Sequence, residues 1–408
     1  MQEPFPALTH LTLLSEDGNA LVLPGFLGGS APCLQRIAFG GIIFPALPTL
    51  LPSSSSLVSL DFYNIPQNGY ISPEAMVACL AALPRLEMFL IGFQSATSRP
   101  GRIRPPPVTR TVLPSLTYIE FRGASEYLEE LISQIDSPKL NQIHIMYLNQ
   151  LVDFQVAQPF KFIDRSEDPK LALLRHADVT FTNRLVSLEI YQCPPRHPNR
   201  VPVRISILCQ GIDWQVSHLA QVLSQPSTIL SHVVHLKLEE FGADEDRQLE
   251  SVDNANWLHL LCQFSAVQTL HVSRELAGHV ALALEDVTEE IAAEVLPALN
   301  SIRLVGQLTS SVDKFVAVRR LSGRPVTVVN TRMEMKSGLN TRFLNPVNWV
   351  NASGVLVGRM LDHIAKHAPS EQEKRGDKRL EDTLSLIVEN EQVINPCDRE
   401  MIEGRIFL

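Results

Sequence analysis

One short apolar pattern recurs along most of the chain and limits the folds open to it. Two apolar residues stand three positions apart and a third follows two positions later, as in Leu8, Leu11 and Leu13. Twelve copies occur, mostly 23 to 34 residues apart, and two of them are degenerate. A period of this length is typical of proteins built from stacked repeats. The ten complete copies are Leu8/Leu11/Leu13, Leu34/Ile37/Phe39, Leu57/Leu60/Phe62, Leu86/Phe89/Ile91, Leu116/Ile119/Phe121, Leu140/Ile143/Ile145, Leu185/Leu188/Ile190, Val233/Leu236/Leu238, Val267/Leu270/Val272 and Leu299/Ile302/Leu304, and the degenerate ones are Ile205/Ile207 and Val326/Val328.

Each copy predicts a short strand, because its last two apolar residues are two apart and lie on one face. Segments with helical spacing lie between the copies; the first has Ser72 as a cap and Pro73 in its first turn. Alternating strands and crossover helices predict parallel strands. We therefore predict an α/β leucine-rich-repeat solenoid with a curved parallel sheet on its concave side and helices and loops on its convex side. The other predicted helices are residues 125–135, 213–223, 288–296 and 310–321.

The repeat pattern also predicts how the chain divides. Residues 1–331 are expected to form the solenoid, with about 11–12 irregular repeats. Residues 332–408 contain no further copy, and we expect a C-terminal extension that is partly helical and partly mobile.

Composition and motifs exclude several classes of function. The net charge of −9 argues against general binding of nucleic acid, and no apolar stretch is long enough for a membrane helix. Six cysteines without paired spacing and the absence of a secretory signal indicate a cytoplasmic or nuclear protein. No catalytic, phosphate-binding or metal-binding motif assembles, so we expect no enzyme activity, no cofactor and no metal.

The facing of the strands predicts one binding surface. The residue between the paired apolar positions points away from the core, onto the concave side of the sheet. We expect an acidic half that carries tyrosines, which often anchor interfaces, and a basic half. Alternatively, these charges only pair with each other on a solvated sheet. The predicted partner-binding residues are Asp61, Tyr63, Tyr118, Glu120, Arg122, His144, Glu189, Tyr191, Lys237, His271 and Arg303.

Three segments resemble the leucine-rich-repeat part of fungal F-box proteins: residues 121–140, 273–282 and 313–328. The resemblance extends over roughly residues 5 to 330. It implies a solenoid that selects a protein for ubiquitination, behind an F-box that docks on a Skp-type adaptor. No F-box segment is recognisable in the chain, so a Skp-type partner is expected only if an F-box lies upstream.

The sequence therefore predicts a module that binds a protein partner on its concave face. One form of this hypothesis is the substrate-recognition part of an F-box-type ubiquitin ligase. The alternative is a free-standing scaffold unconnected with ubiquitination.

Overall fold

The computed structural model describes most of the chain up to residue 331. The described residues are 7–15, 20–21, 27, 30–43, 50–96, 110–148, 158–193, 201–225, 227–241, 253–285, 287, 291, 294–305, 310–331, 385–387 and 405–407. The chain divides into two compact units, of which one is Met1–Thr331 with Leu384–Leu408 and the other is Arg332–Thr383. The second unit lies outside the described residues.

The described strands include all twelve apolar motifs. They are β1 (His10–Leu14), β2 (Ala20–Leu21), β3 (Arg36–Gly40), β4 (Ile42–Ile43), β5 (Ser59–Ile65), β6 (Met88–Phe93), β7 (Thr111–Val112), β8 (Tyr118–Gly123), β9 (Ile135–Asp136), β10 (Gln142–Leu148), β11 (His176–Phe181), β12 (Leu185–Tyr191), β13 (Val203–Leu208), β14 (His235–Glu240), β15 (Thr269–Val272), β16 (Ser301–Val305), β17 (Thr327–Thr331), β18 (Ser385–Ile387) and β19 (Arg405–Phe407).

Helices follow many of the strands, mostly where the sequence predicts them. They are α1 (Pro73–Leu80), α2 (Ser125–Gln134), α3 (Gln158–Ile163), α4 (Ile212–Leu223), α5 (Asn254–Cys262), α6 (Arg274–Glu285) and α7 (Ser310–Leu321). Helix α1 begins as predicted, since the hydroxyl of Ser72 accepts a hydrogen bond from the Ala75 amide and Pro73 occupies the first turn. The predicted helix at 288–296 falls largely outside the described residues.

The main sheet contains strands from the whole repeat region. Its order is β17-β16-β15-β14-β11-β12-β13-β10-β8-β6-β5-β3-β1-β19-β18. From β17 to β1 the neighbouring strands are parallel, except for the two antiparallel pairs that β12 makes with β11 and β13. With helices between the strands, this is a solenoid-like α/β fold, as the sequence predicts in outline. Two small parallel sheets, β2-β4 and β7-β9, lie beside it.

The structure corrects the prediction that all repeat strands are parallel and stack in chain order. Strand β12 contains the Leu185/Leu188/Ile190 motif but runs antiparallel to both neighbours. The alternation that buries Leu188 and Ile190 is the same for either strand direction, so the motif carries no information about direction. Only residues 182–184 separate β11 from β12, which is too short for a parallel crossover.

Strand β11 is a repeat strand that the motif search misses. It is parallel to β14, and Leu174, Ala177 and Val179 occupy the three buried positions of the pattern. Alanine in the middle position hides the motif, although its side chain is as buried as a leucine there. Strands β11, β12 and β13 thus form an antiparallel meander inserted between β10 and β14.

One continuous core joins the sheet to the helices. The paired apolar residues of the strands and the apolar faces of the helices belong to a single buried cluster, as Leu236, Leu270 and Trp257 illustrate. The intervening residues of the strands lie on the other side of the sheet. We call this side the open face. It corresponds to the side that the sequence analysis calls concave.

Two described segments fall in the region predicted to be a partly helical extension. Strands β18 and β19 are antiparallel to each other, and β19 is parallel to β1. The remainder of residues 332–408 lies outside the described residues.

Candidate protein-binding surface

The open face presents an unbroken middle row of side chains from β1 to β17. The strand registers place these residues side by side: Thr12, Ala38, Asp61, Leu90, Glu120, His144, Arg204, Glu189, Asp178, Lys237, His271, Arg303 and Val329. The row differs in three places from the residues that stand between the paired apolar positions of the twelve motifs. Arg204 replaces Ser206, Asp178 is added because β11 was missed, and Val329 replaces Thr327.

Two flanking rows contain the remaining predicted residues. The first row, at the start of the parallel strands, includes Tyr118 and, because β12 is reversed, also Tyr191. The third row includes Tyr63 and Arg122. In register order the first row is His10, Arg36, Ser59, Met88, Tyr118 and Gln142, then Tyr191, His176, His235, Thr269, Ser301 and Thr327. The third row contains Gly40, Tyr63, Gly92, Arg122, Met146, Ser206, Ser187, Thr180 and Glu239.

Three predicted residues form one hydrogen-bonded cluster on β8 and β10. The hydroxyl of Tyr118 donates to Glu120 and lies 3.1 Å from Nδ1 of His144. The Tyr118 and His144 rings meet edge to face, with their centroids 5.3 Å apart. Burial raises the pKa of Glu120, while the hydrogen bond from Tyr118 and the charge of Arg204 oppose that rise. The cluster holds a partly desolvated carboxyl group on the open face.

His144 supports this cluster and is not itself a contact surface. Its side chain is only 3% exposed, and its Nε2 lies 2.8 Å from the carbonyl oxygen of Val201. A carbonyl only accepts, so Nε2 carries the hydrogen and donates it to Val201, while the unprotonated Nδ1 faces the Tyr118 hydroxyl. Burial, with the charge of Arg204, lowers the pKa of His144 to about 4. The imidazole is therefore neutral at pH 7, and it lacks the exposure expected of a partner-binding residue.

Asp61 and Tyr63 lie together on β5, near the acidic end of the row. Burial raises the pKa of Asp61 to about 7, and the charge of Glu120 adds to the rise. Burial and then the charge of Asp61 also raise the pKa of Tyr63. The ring of Tyr63 leans over Gly40 on β3, where a Cβ atom would collide with it. Glycine at position 40 therefore leaves room for the tyrosine ring beside the β3 backbone.

The middle of the row is paired internally. Nε of Arg204 lies 2.8 Å from Oε1 of Glu189 across the antiparallel β12–β13 pair. Further along, Nζ of Lys237 lies 2.6 Å from Oε1 of Glu239 on the same strand. Burial raises the pKa of Asp178, which lies between these pairs, while Tyr191 and Lys237 oppose that rise. Charges of both signs thus lie side by side in the centre of the row.

Carboxyl groups and basic side chains lie toward opposite ends of the row. Asp61 and Glu120 lie on β5 and β8, while His271 and Arg303 lie on β15 and β16. Arg303 is exposed. Burial and the charge of Lys237 lower the pKa of His271, so the positive charge at this end comes from Arg303.

Arg122 lies in the third row beside Met146 and Gly92. Its Nε is buried and, within the described part of the chain, has no hydrogen-bond partner. Burial lowers its pKa. A half-buried guanidinium whose Nε has no partner among the described residues is a group that a bound carboxylate could stabilise.

A stack of three rings in the first row was missed by the sequence analysis. The His176 ring stacks on Tyr191, with centroids 5.5 Å apart and 5° between the planes. It also stacks on His235, at 4.6 Å and 19°. His176 lies on β11, so the signal that could have revealed it is the Leu174/Ala177/Val179 motif with alanine allowed in the middle.

The described residues also bear on metal binding, membrane insertion and disulfide bonding. In the described ranges no group of three or more His, Cys, Asp or Glu residues is placed to hold a metal ion. No described helix is both long and apolar enough to cross a membrane. The described cysteines are free thiols, of which Cys33 and Cys193 are exposed.

Comparison with known proteins gives structural likenesses but no family assignment. No family model and no curated protein matches the chain. Among solved structures, the chain is similar to the leucine-rich-repeat-containing protein LegL7 from Legionella pneumophila. The two are 15% identical, the likeness covers 73% of this chain and 84% of that chain, and the TM-score is 0.27. At this TM-score the likeness adds nothing to the assignment of the fold, which follows from the strand registers.

Proposed function

We propose that this protein binds a protein partner on the open face of its sheet and performs no chemistry of its own. The observation that carries the proposal is the unbroken middle row from Thr12 to Val329. Thirteen adjacent strands, each about 4.8 Å from the next, give a row about 55–60 Å long. A surface of that length suits a protein chain rather than a small molecule, whose sites are compact clefts.

The side chains on this face have the character of an interface. Tyr63 and Tyr118 are half-buried, and Met88 is 41% exposed in the first row. Tyrosine, methionine and arginine are enriched where proteins bind each other. A partner would be oriented along the row by Arg303 toward one end and by the carboxyl groups of Asp61 and Glu120 toward the other. We further propose that the open face is the concave side of a curved solenoid formed by residues 1–331, with residues 332–408 as an extension.

The proposal is tested by changing the two ends of the open face together. Arg303→Glu reverses an exposed charge and Met88→Asp removes an exposed apolar side chain. The matched control on the helix side is Arg320→Glu with Leu321→Asp, since both residues are exposed near the end of α7. Affinity capture with quantitative mass spectrometry should lose a partner only for the open-face variant, with circular dichroism unchanged in both. Equal capture by the two variants would place the binding surface elsewhere.

A finer form of the proposal is that the partner is a protein selected for ubiquitination. Its support is the resemblance of residues 121–140, 273–282 and 313–328 to fungal F-box proteins. These segments fall mainly on α2, α6, α7 and their connections to the following strands, so they concern the scaffold and leave the partner open. The alternative is a free-standing scaffold in the cytoplasm or nucleus, where exposed Cys33 and Cys193 would stay reduced.

These two forms differ in one measurable association. The gene product, expressed from its own locus with a C-terminal tag, should co-purify with a Skp-type adaptor if an F-box lies upstream. Partner capture without any adaptor would favour the free-standing scaffold.

A further inference from the structure

The three-ring stack in the first row ends on a bare face. The rings of Tyr191, His176 and His235 follow the strand order β12, β11, β14, and each stacks on its neighbour. Adjacent strands are about 4.8 Å apart, so the sheet spacing itself brings rings in one row to stacking distance. The stack is anchored at its buried end, because the Tyr191 side chain is hydrogen-bonded to Asp178.

The next position beyond His235 is occupied by a short side chain. His235 pairs with Thr269 on β15, and Thr269 pairs with Ser301 on β16. His235 is exposed, and its ring makes no further ring contact among the described residues. A threonine or serine hydroxyl cannot cover the outer face of the imidazole. One further planar group would therefore fit above Thr269, against that outer face.

The charge beside this position selects the kind of planar group. Lys237, His271 and Arg303 follow one another in the adjacent middle row. Lys237 is paired with Glu239, whereas Arg303 is exposed and has no ion pair within the described residues. A positive guanidinium from a partner would be repelled here, while an aromatic ring would not. A carboxylate next to that ring would pair with Arg303.

We propose that an aromatic side chain of an acidic partner segment stacks on His235 above Thr269, while a carboxylate two residues away from it pairs with Arg303. The spacing follows from the geometry of extended chains. From Thr269 to Arg303 is one strand across and two residues along, about 8 Å. Side chains at i and i+2 of an extended peptide are about 6.6 Å apart on the same side, which is a comparable span. The inference rests on the proposed function and specifies the chemistry of the partner.

The probe is a fluorescein-labelled peptide, Gly-Glu-Ala-Tyr-Ala-Glu-Gly, whose binding is measured by fluorescence polarisation. Glutamates on both sides of the tyrosine allow for either direction of the peptide. We expect the full-length protein to bind this peptide about three- to tenfold more tightly than it binds the same peptide with leucine in place of tyrosine. That difference is the contribution of one aromatic stack. The peptide with lysine for both glutamates should bind weakest, because Arg303 would repel it.

Variants locate the binding position on the sheet. Thr269→Phe should extend the stack within the protein and block the peptide, and His235→Gln should remove the stacking ring. Each should weaken binding about three- to tenfold. The matched control is Thr111→Phe, which makes the same change at a half-buried strand position on β7, outside the open face. His235→Gln keeps the test decisive should Thr269→Phe fail to fold.

Several results would overturn the inference. Equal affinity for the tyrosine, leucine and lysine peptides would exclude recognition of a ring and a carboxylate. Unchanged affinity in folded Thr269→Phe and His235→Gln would exclude this position. If partner capture still depends on Met88 and Arg303 while either result holds, only the stacking position fails. The peptide could instead bind as expected while the open-face variant, Arg303→Glu with Met88→Asp, and its helix-side control capture the same partners. In that case the proposed function fails.

Discussion

Two neighbouring residues of β14 should respond very differently to the same truncation. Leu236 is 1% exposed and points into the core, whereas Lys237 lies half-buried on the open face. Leu236→Ala removes buried methyl groups and leaves a cavity, which should lower the free energy of unfolding by about 2–5 kcal/mol. Lys237→Ala breaks its ion pair with Glu239, whose side chain is 24% exposed, and should lower it by at most about 1 kcal/mol.

Urea unfolding followed by tryptophan fluorescence measures both effects. Trp257 is fully buried on α5 and packs against Phe181, with ring centroids 5.5 Å apart, so its emission reports on the repeats around β11 to β15. With an m value of about 3 kcal/mol/M, Leu236→Ala should lower the urea midpoint by about 1 M and Lys237→Ala by no more than about 0.3 M. Similar losses in the two variants, or a larger loss for Lys237→Ala, would refute the assignment of the two faces.

Three further predictions concern a helix cap, a glycine and a buried acid. Ser72→Ala should lower stability by about 1 kcal/mol in the same urea assay, because it removes the cap of α1; no loss would mean that the cap is dispensable. Gly40→Ala should lower the melting temperature because the new Cβ collides with the ring of Tyr63. Adding Tyr63→Ala should reverse part of that loss. If the losses of the two single variants simply add in the double variant, the predicted collision is refuted. Folded Asp61, whose pKa is raised from 3.8 to about 7, holds a proton that the unfolded chain releases, so its contribution to stability falls as pH rises from about 4 to 7. The urea midpoint of wild type relative to Asp61→Asn should therefore be lower at pH 7.5 than at pH 5, and a constant difference would exclude the shift.

The repeat strands could be predicted from the sequence because burial on one face of a strand leaves a strong periodic signal. All twelve motifs became strands of one sheet, including the degenerate copies at Ile205/Ile207 and Val326/Val328. The order of the strands could not be predicted in the same way. A period of two residues is identical for a strand running in either direction, so Leu188 and Ile190 gave no warning that β12 is reversed.

The facing of most strand residues could be predicted from the sequence, but their arrangement on the open face could not. Facing follows from alternation alone, and Asp61, Lys237 and Arg303 lie where alternation puts them. Which residues become neighbours depends on strand order. The missed strand β11 brings Asp178 and His176 into the surface, and the reversed strand brings Tyr191 beside His176.

The exposure of side chains on the open face could not be predicted from the motif either. His144 occupies an outward position by alternation, yet it is 3% exposed and hydrogen-bonded to the carbonyl of Val201, 57 residues away in sequence. This contact exists because the meander places β13 beside β10. A local sequence pattern does not predict that placement.

The central claim is that one sheet, with β11 between β12 and β14, presents a single open face. Disulfide trapping in a background without the native cysteines tests it directly. Thr180 and Glu239 are register neighbours on β11 and β14, so Thr180→Cys with Glu239→Cys should cross-link under mild oxidation. Ser206 on β13 would neighbour β14 if the repeats stacked in chain order, but β12 and β11 separate them by about 14 Å in all. Cross-linking of Thr180→Cys/Glu239→Cys and not of Ser206→Cys/Glu239→Cys is the result expected, and the reverse would contradict the account.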